Sequence, residues 1–428
     1  MSFGTAVRRH NQAGRLVVQP RMGFSDPGLM RDGLLATRRA EAATVGTITV
    51  DSYTRVDDLP AITRALRDGV PLNGYPIATH PGPTTRAVLD GIYDETFPVQ
   101  VRHGSPRPHR IIRALIDRGL DATEGGPVSY CLPYGRTPLA DSVRNWRAAC
   151  ELMAEELETP HLETFGGCML GQLCPPSVLV AISVLEAMFF QQNGVAEVSV
   201  SYAQQTHFGQ DLEAVAALRR LSAALLHGDD WHVVVYAYMG RYPTTPTGAM
   251  TLLARAAELS VLGGARRLIV KTAAESLRIP TIAENVSALE HADTAARLAA
   301  RAQAPDFAVD GGQVYREALV LVEAVLEQAD DIGEAFISAF AQGLLDVPYC
   351  LHPSNLGSAR ARIGADGRLG WVEIGAMPLG GLVERSAGKP LTAADFLASL
   401  SYVQRAYDAA ALAARPTPLE ANSGVEQR

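Results

Sequence analysis

The feature that constrains this chain most is its alternation of two periods. Short β-branched runs end in polar or glycine residues, and helical patterns of roughly 10–15 residues follow them. The runs are Leu16–Gln19, Thr47–Val50, Leu72–Tyr75, Val99–Val101, Ala122–Glu124, Leu162–Phe165, Val198–Ser201, His232–Tyr236 and Leu268–Lys271. Between them, Leu59, Ile62, Leu66 and Val70 mark one helix face, and Ile111, Ile112, Leu115, Ile116 and Leu120 mark another. Repeated strand–helix units imply parallel strands joined by right-handed crossovers. Eight such units close a barrel, so one of the nine runs lies outside it. A doubly wound open sheet competes, but no Gly-x-Gly-x-x-Gly follows the first run. The expected fold is α/β, a TIM-like (β/α)8 barrel.

After about Thr281 the pattern changes. One helical segment runs to roughly Ala304 and another from Gly312 to Leu345. A turn-rich stretch, Pro348 to Met377, and a last helix, Ala393 to Ala414, come next. The expected organisation is a barrel over 1–303, a helical and turn-rich extension packed on it over 304–415, and a disordered tail, 416–428. At 428 residues, 47% hydrophobic and 20% charged, the chain suits a globular protein with a large core. A formal net charge of −8 argues against nucleic acid or anionic membrane as a main partner. The five cysteines show no Cys-x-x-Cys, which suits a reducing compartment. The first residues lack a secretory apolar core, and the longest apolar run, Val178 to Phe190, is too short to span a bilayer. A cytoplasmic location is expected.

The chemistry sits at run ends. Thr123-Glu-Gly-Gly-Pro-Val-Ser-Tyr-Cys-Leu-Pro-Tyr134 places a carboxylate, Glu124, before two glycines and two phenols, Tyr130 and Tyr134. The glycines let a ligand or another backbone come close. A carboxylate with nearby tyrosines suits a bound ammonium group and a general base; the alternative is a solvated Glu in a Gly-rich turn. Three runs close on arginine: Arg21, Arg55 and Arg102. Barrel active sites lie just beyond the strands' C-terminal ends, and guanidinium forks grip carboxylates or phosphates at two points. Together they suggest a small substrate with more than one carboxylate. The other reading is separate salt bridges to Asp51, Asp57 or Glu124. Lys271, with Glu275 four residues on, suits a Schiff-base nucleophile, a donor to a hydroxylated ligand, or a surface ion pair. His103, His207 and His232 are isolated, and no metal site is read. Tyr236, Tyr238 and Tyr242 suit the core, while Met239-Gly-Arg-Tyr-Pro243 suits the barrel mouth.

These residues carry a resemblance. Arg21-Met-Gly23, Asp51-Ser-Tyr-Thr-Arg55, Leu72-Asn-Gly-Tyr-Pro76, Gln100-Val-Arg-His-Gly104, Glu124-Gly-Gly-Pro-Val-Ser-Tyr130 and Val270-Lys-Thr272 resemble the large (epsilon) subunit of glutamate mutase, the adenosylcobalamin-dependent methylaspartate mutase. Leu345-Asp-Val-Pro348 and Val372-Glu-Ile-Gly375 extend the likeness, which runs from about Val17 to Leu379.

The resemblance implies a barrel closing over a cobalamin presented by a separate small (sigma) subunit, in a heterotetramer of two large and two small chains. It implies that Arg21, Arg55 and Arg102, helped by His103, hold two substrate carboxylates. Glu124 and Tyr130 would take the amino group, with Tyr134 facing the substrate. Gly23, Asn73, Pro133, Tyr242, Lys271, Glu275 and Ile279 would line the adenosylcobalamin, with Lys271 and Glu275 at the adenosyl ribose. The implied reaction is radical rearrangement of L-glutamate to (2S,3S)-3-methylaspartate. This sequence departs in Arg267 for a Lys before the last strand, in Tyr242 for a Phe, and in the segment after Gly74. It lacks the small subunit's Asp-x-His-x-x-Gly. A barrel lyase or aldolase using Lys271 as a Schiff base, or a non-catalytic dicarboxylate-binding subunit, are the other readings.

Overall fold

A computed structural model describes residues 2–133, 135–169, 173–302, 312–383 and 392–413. Eight parallel strands form one sheet: β1 (Val17–Gln19), β2 (Gly46–Thr49), β3 (Val99–Arg102), β4 (Ala122–Gly125), β5 (His161–Thr164), β6 (Glu197–Ala203), β7 (Trp231–Tyr236) and β8 (Arg267–Ile269). Neighbours run in sequence order from β2 to β8, and β8 pairs with β1 through Val17–Arg267 and Gln19–Ile269. The remaining gap, between β1 and β2, is spanned by a parallel bridge from Val18 to Thr44. The sheet is thus nearly closed into a barrel ringed by helices, the architecture that the alternation predicts.

Leu72–Tyr75 is the run that does not join the barrel. It pairs beside β2's end through the single bridge Val50–Tyr75, with Tyr75 N–H donating to Thr49 O at 2.9 Å. Gly74 makes that approach possible, because a Cβ there would sit 2.5 Å from the Val50 carbonyl carbon.

Local chemistry fixes the helix starts. Asp26, Asp51 and Asp58 accept hydrogen bonds from first-turn N–H groups, and Thr281 forms a capping box with Glu284. The apolar run Val178–Phe190 lies in the helix Pro176–Gln192, buried on nearly every side. No helix among the described residues is long and apolar enough to cross a membrane.

The segment read as one helix from Gly312 to Leu345 is two, Gly312–Leu326 and Ile332–Gln342, because Asp331 caps a new start. The former packs against the barrel helices Pro176–Gln192 and Phe208–Leu225. The turn-rich stretch holds an antiparallel pair, β9 (Arg360–Ile363) and β10 (Leu369–Glu373). The last helical stretch divides at Ser401 into Ala393–Leu400 and Tyr402–Ala413. From the latter, Asp408 accepts from the backbone N–H of Thr244 (3.0 Å) and Thr245 (2.8 Å), and from both hydroxyls. The tail 416–428 lies outside the described residues.

The barrel interior is polar where bulky branched side chains are usual. Gln19 donates to Thr47 and to Gln100, each at 2.8 Å, and Gln100 donates to Glu163 at 3.2 Å. Arg267 donates to Glu163, to Gln19, to Ser199 at 3.1 Å and to His232 at 3.3 Å. The Arg267 and Glu163 side chains are wholly buried. Desolvating both ions is costly, and direct pairing with further hydrogen bonds offsets that cost.

Candidate active site

Glu124 is the last residue but one of β4 and is buried, not solvated. Arg102, the last residue of β3, donates Nε to Glu124 Oε2 at 2.7 Å. The hydroxyl of Tyr130 contacts Oε1, and that of Tyr236 lies 2.8 Å from Oε2. The two glycines after Glu124 do make room, but for side chains. A Cβ on Gly125 would strike Trp146 and Tyr130, and one on Gly126 would lie 2.0 Å from Glu186 Oε1. That same Glu186 oxygen accepts from the N–H groups of Val128 (3.1 Å) and Ser129 (2.9 Å), which aims Tyr130 back at Glu124. Burial pushes the Glu186 carboxyl up to about 7.

The three arginines are not equivalent. Arg102 is paired with Glu124 through Nε alone, and its terminal nitrogens make no hydrogen bond among the described residues. Burial opposes its charge, yet Glu124 and then Tyr236 hold its pKa well above the usual range. Arg21, just after β1, meets Glu275, just after β8, at 3.2 Å. Arg55 lies in the short helix Ser52–Val56, and its buried Nε has no partner among the described residues. Of the rim acids weighed as partners, Asp51 caps that helix and Asp57 pairs with Arg110 at 2.8 Å.

His103 stands between these groups. Its ring stacks on Trp146 at 5.7 Å, and Nδ1 accepts from Ser105 N–H at 3.2 Å. Burial, then the charges of Arg55 and Arg102, lower its pKa to about 3. It is therefore neutral at pH 7 and carries its proton on Nε2, a buried donor without a partner among the described residues. Such a donor suits an incoming carboxylate oxygen.

Beside this cluster the barrel opens into a cavity of about 630 Å³. Arg21, Gly23, Arg55, Asn73, Lys271, Glu275 and Ile279 all line it, with Met239. Gly23 is required by packing: a Cβ would sit 2.2 Å from the carbonyl oxygen of Thr49. Asn73 accepts from Ser52 N–H at 2.9 Å. Lys271 is not a surface residue; its ammonium lies 4.6 Å from the Tyr242 ring centroid and 3.4 Å from Gly240 O. Burial, then Arg21, lower its pKa to about 8. Glu275 also accepts from Thr272 N–H at 3.0 Å, so its carboxylate is held by both Arg21 and its own turn. Tyr242 is buried against this wall, Pro133 is half-buried, and Tyr134 lies outside the described residues. Among the described residues no group of three or more His, Cys, Asp or Glu is placed to hold a metal ion.

The family model described as the methylaspartate mutase E chain matches residues 1–394. The chain belongs to that family. It is 27% identical over 397 residues to the glutamate mutase epsilon subunit of Escherichia coli O157:H7, covering 88% of this chain and 81% of that one. Against the glutamate mutase epsilon subunit of Halobacterium salinarum it is 29% identical over 344 residues, covering 77% and 71%. Among solved structures, the carboxyl transferase domain of Rhizobium etli pyruvate carboxylase aligns at a TM-score of 0.37 and 11% identity, covering 82% of this chain and 65% of that one. A likeness that slight carries no argument.

For this mutase-family member, sequence reading passed over several residues at the site. Tyr236 reads as a core aromatic, and it is, but its hydroxyl reaches Glu124 and Glu163. Glu163, Glu186 and Trp146 gave no signal at a strand end. A carboxylate inside an otherwise apolar run is the one cue that Glu163 and Glu186 offered. Arg267 opens β8 itself and does not precede it.

Proposed function

We propose that this chain is the catalytic large subunit of an adenosylcobalamin-dependent glutamate mutase, converting L-glutamate to (2S,3S)-3-methylaspartate. The observation that carries the reading is Glu124: a buried carboxylate held by Arg102, Tyr130 and Tyr236, among arginines with donors to spare. The names of the relatives supply the substrate. Arg102's terminal nitrogens, Arg21 and Arg55 take the two carboxylates, and His103 Nε2 donates to one of them. Glu124 and Tyr130 receive the ammonium group, and Glu124 accepts its proton in part as the rearrangement proceeds. Tyr134 faces the substrate in the same reading.

The cavity fits the implied cofactor. It is open, it pairs a cation and a carboxylate suited to ribose hydroxyls, and the buried Thr49 Oγ1 and Arg55 Nε on its wall lack partners among the described residues. Lys271 and Glu275 would hold the ribose, with Gly23, Asn73, Pro133, Tyr242 and Ile279 around the remainder. When bound, the cofactor supplies the radical that starts the rearrangement. This chain orients the substrate and keeps water from it. A small cobalamin-binding subunit completes the assembly, as two large and two small chains. The test is reconstitution: turnover of L-glutamate requires this chain, a small subunit and adenosylcobalamin together. Full turnover by the chain and cofactor alone would sink the reading.

A second reading, a lyase using Lys271 as a Schiff base, is favoured by that lysine's lowered pKa. Borohydride with a carbonyl substrate would fix adduct on Lys271 if it held, and none if Lys271 only donates hydrogen bonds.

A further inference from the structure

Tyr236 has one hydroxyl proton and two carboxylates within its reach: Glu124 Oε2 at 2.8 Å and Glu163 Oε1. Burial, then Glu124 and Glu163, push this phenol well up, so it keeps its proton. It donates to one carboxylate at a time, and the other then faces an oxygen lone pair. Behind it, Arg267 is ion-paired to Glu163 and fixed in turn by Gln19, Ser199 and His232. Burial disfavours the Glu163 anion, but Arg267 and then Arg102 outweigh it and hold the pKa low. Two carboxylates thus share one phenol in a dry interior, each with its own guanidinium, where such couplings are strong.

We infer that Tyr236 and Glu163 are positioning residues that set how readily Glu124 accepts a proton, with Arg267 anchoring Glu163. When Glu124 takes a proton, that carboxyl donates to the Tyr236 oxygen and the phenol hydrogen turns fully to Glu163. No covalent bond changes beyond the proton gained by Glu124. The groups facing Glu124 are Arg102 from the end of β3, Tyr130 from the following turn, Cys168, and Tyr236 from β7, with His103, just after β3, packed on Tyr130. Of these, Arg102 and Cys168 also feel the charge of the second carboxylate, Glu163 of β5, but only Tyr236 hydrogen-bonds it. The coupling deepens the glutamate mutase reading, yet it is measurable on the chain alone.

Two substitutions push Glu124 in opposite directions. Tyr236→Phe removes a donor to it and is expected to make protonation easier; Glu163→Gln removes a like charge nearby and is expected to make it harder. The readout is carbon NMR of side-chain-labelled glutamate in the purified chain, with Glu124→Gln assigning the signal. In the reconstituted enzyme the acidic limb of kcat shifts in the same two directions while KM changes little. A packing role alone lowers stability in both variants and moves neither midpoint. Midpoints that stay put, or that shift together, overturn the inference. Should Glu163→Gln leave Arg267 unpaired and unfold the chain, Tyr236→Phe decides alone, because it keeps the Arg267–Glu163 pair. If the unsubstituted chain never turns over L-glutamate with any small subunit, the mutase reading fails and the titration result still stands.

Discussion

Arg102 grips Glu124 through a single nitrogen, Nε, at 2.7 Å, with both side chains almost wholly buried. The pair therefore organises the site while leaving the flat end of the guanidinium for a ligand. A lysine keeps the charge but cannot serve both roles. Arg102→Lys is expected to weaken L-glutamate binding by ~2–5 kcal/mol, the usual loss for a buried hydrogen-bonded charge pair. Calorimetric titration checks this. Unchanged affinity in Lys variants of Arg21, Arg55 and Arg102 alike would remove the carboxylate clamp.

Glu124→Gln keeps the shape and one acceptor oxygen but loses charge and basicity. Turnover by the reconstituted enzyme is expected to fall by ~10²–10⁴-fold, as for a positioned acid–base group. The change in KM is expected to be smaller, the pattern of an interaction made chiefly in the transition state. Steady-state kinetics with a small subunit separates the two, and an unchanged kcat removes Glu124 from the mechanism.

Glu186 gives stability a pH slope. Its carboxyl is raised to about 7 by burial, so between its unfolded value and about 7 the folded chain binds the extra proton. Its contribution is therefore full at low pH and is lost as pH rises through about 7. Glu186→Gln retains an acceptor for the N–H groups of Val128 and Ser129, and its unfolding curve is expected to lose that slope. Relative to the unsubstituted chain, the variant gains most near pH 8. Denaturant unfolding at pH 5 and pH 8 measures it, and parallel shifts at both would discount this carboxyl.

Gly126→Ala drives a methyl group into Glu186, 2.0 Å away in the present backbone. Overpacking of this kind costs ~1–3 kcal/mol. Thermal unfolding is expected to show that loss, and Glu186→Ala is expected to recover part of it. No recovery would mean that the turn, not the collision, is at fault.

Lys271 loses its proton as pH rises through about 8, since burial and Arg21 disfavour the cation. The chain has two lysines, Lys271 and Lys389, so labelling at Lys271 is easily read. Competitive acetylation is expected to show a midpoint near 8 there, against ~10.4 for an unperturbed lysine. Cofactor affinity in the reconstituted enzyme is expected to weaken above the same pH, and Lys271→Arg to abolish that dependence. A midpoint above 10 would show the ammonium to be solvated.

Much of the fold was legible because a parallel barrel writes itself as repeated apolar runs followed by helices. Leu72–Tyr75 has the same look, and only pairing geometry separates a strand from a segment that touches one by a single bridge. The β9–β10 hairpin escaped notice because Arg360, Arg362 and the glycines around it dilute the alternation. Arg21, Arg55, Lys271 and Glu275 could be named from their places after runs, and they line one cavity. Glu163, Tyr236 and Arg267 could not, since inward-facing residues of different strands meet only when the sheet curls. That meeting is a long-range fact, carried by register and not by spacing.

Asp408 ties the last helix to Thr244 and Thr245, two and three residues beyond Tyr242. The turn that follows Met239 at the mouth and this last helix are thus hydrogen-bonded together. From that anchor the helix runs on towards solvent, where Leu412 is 55% exposed. A dye placed there is expected to report any movement of that turn from outside, with no group inserted among the residues that bind.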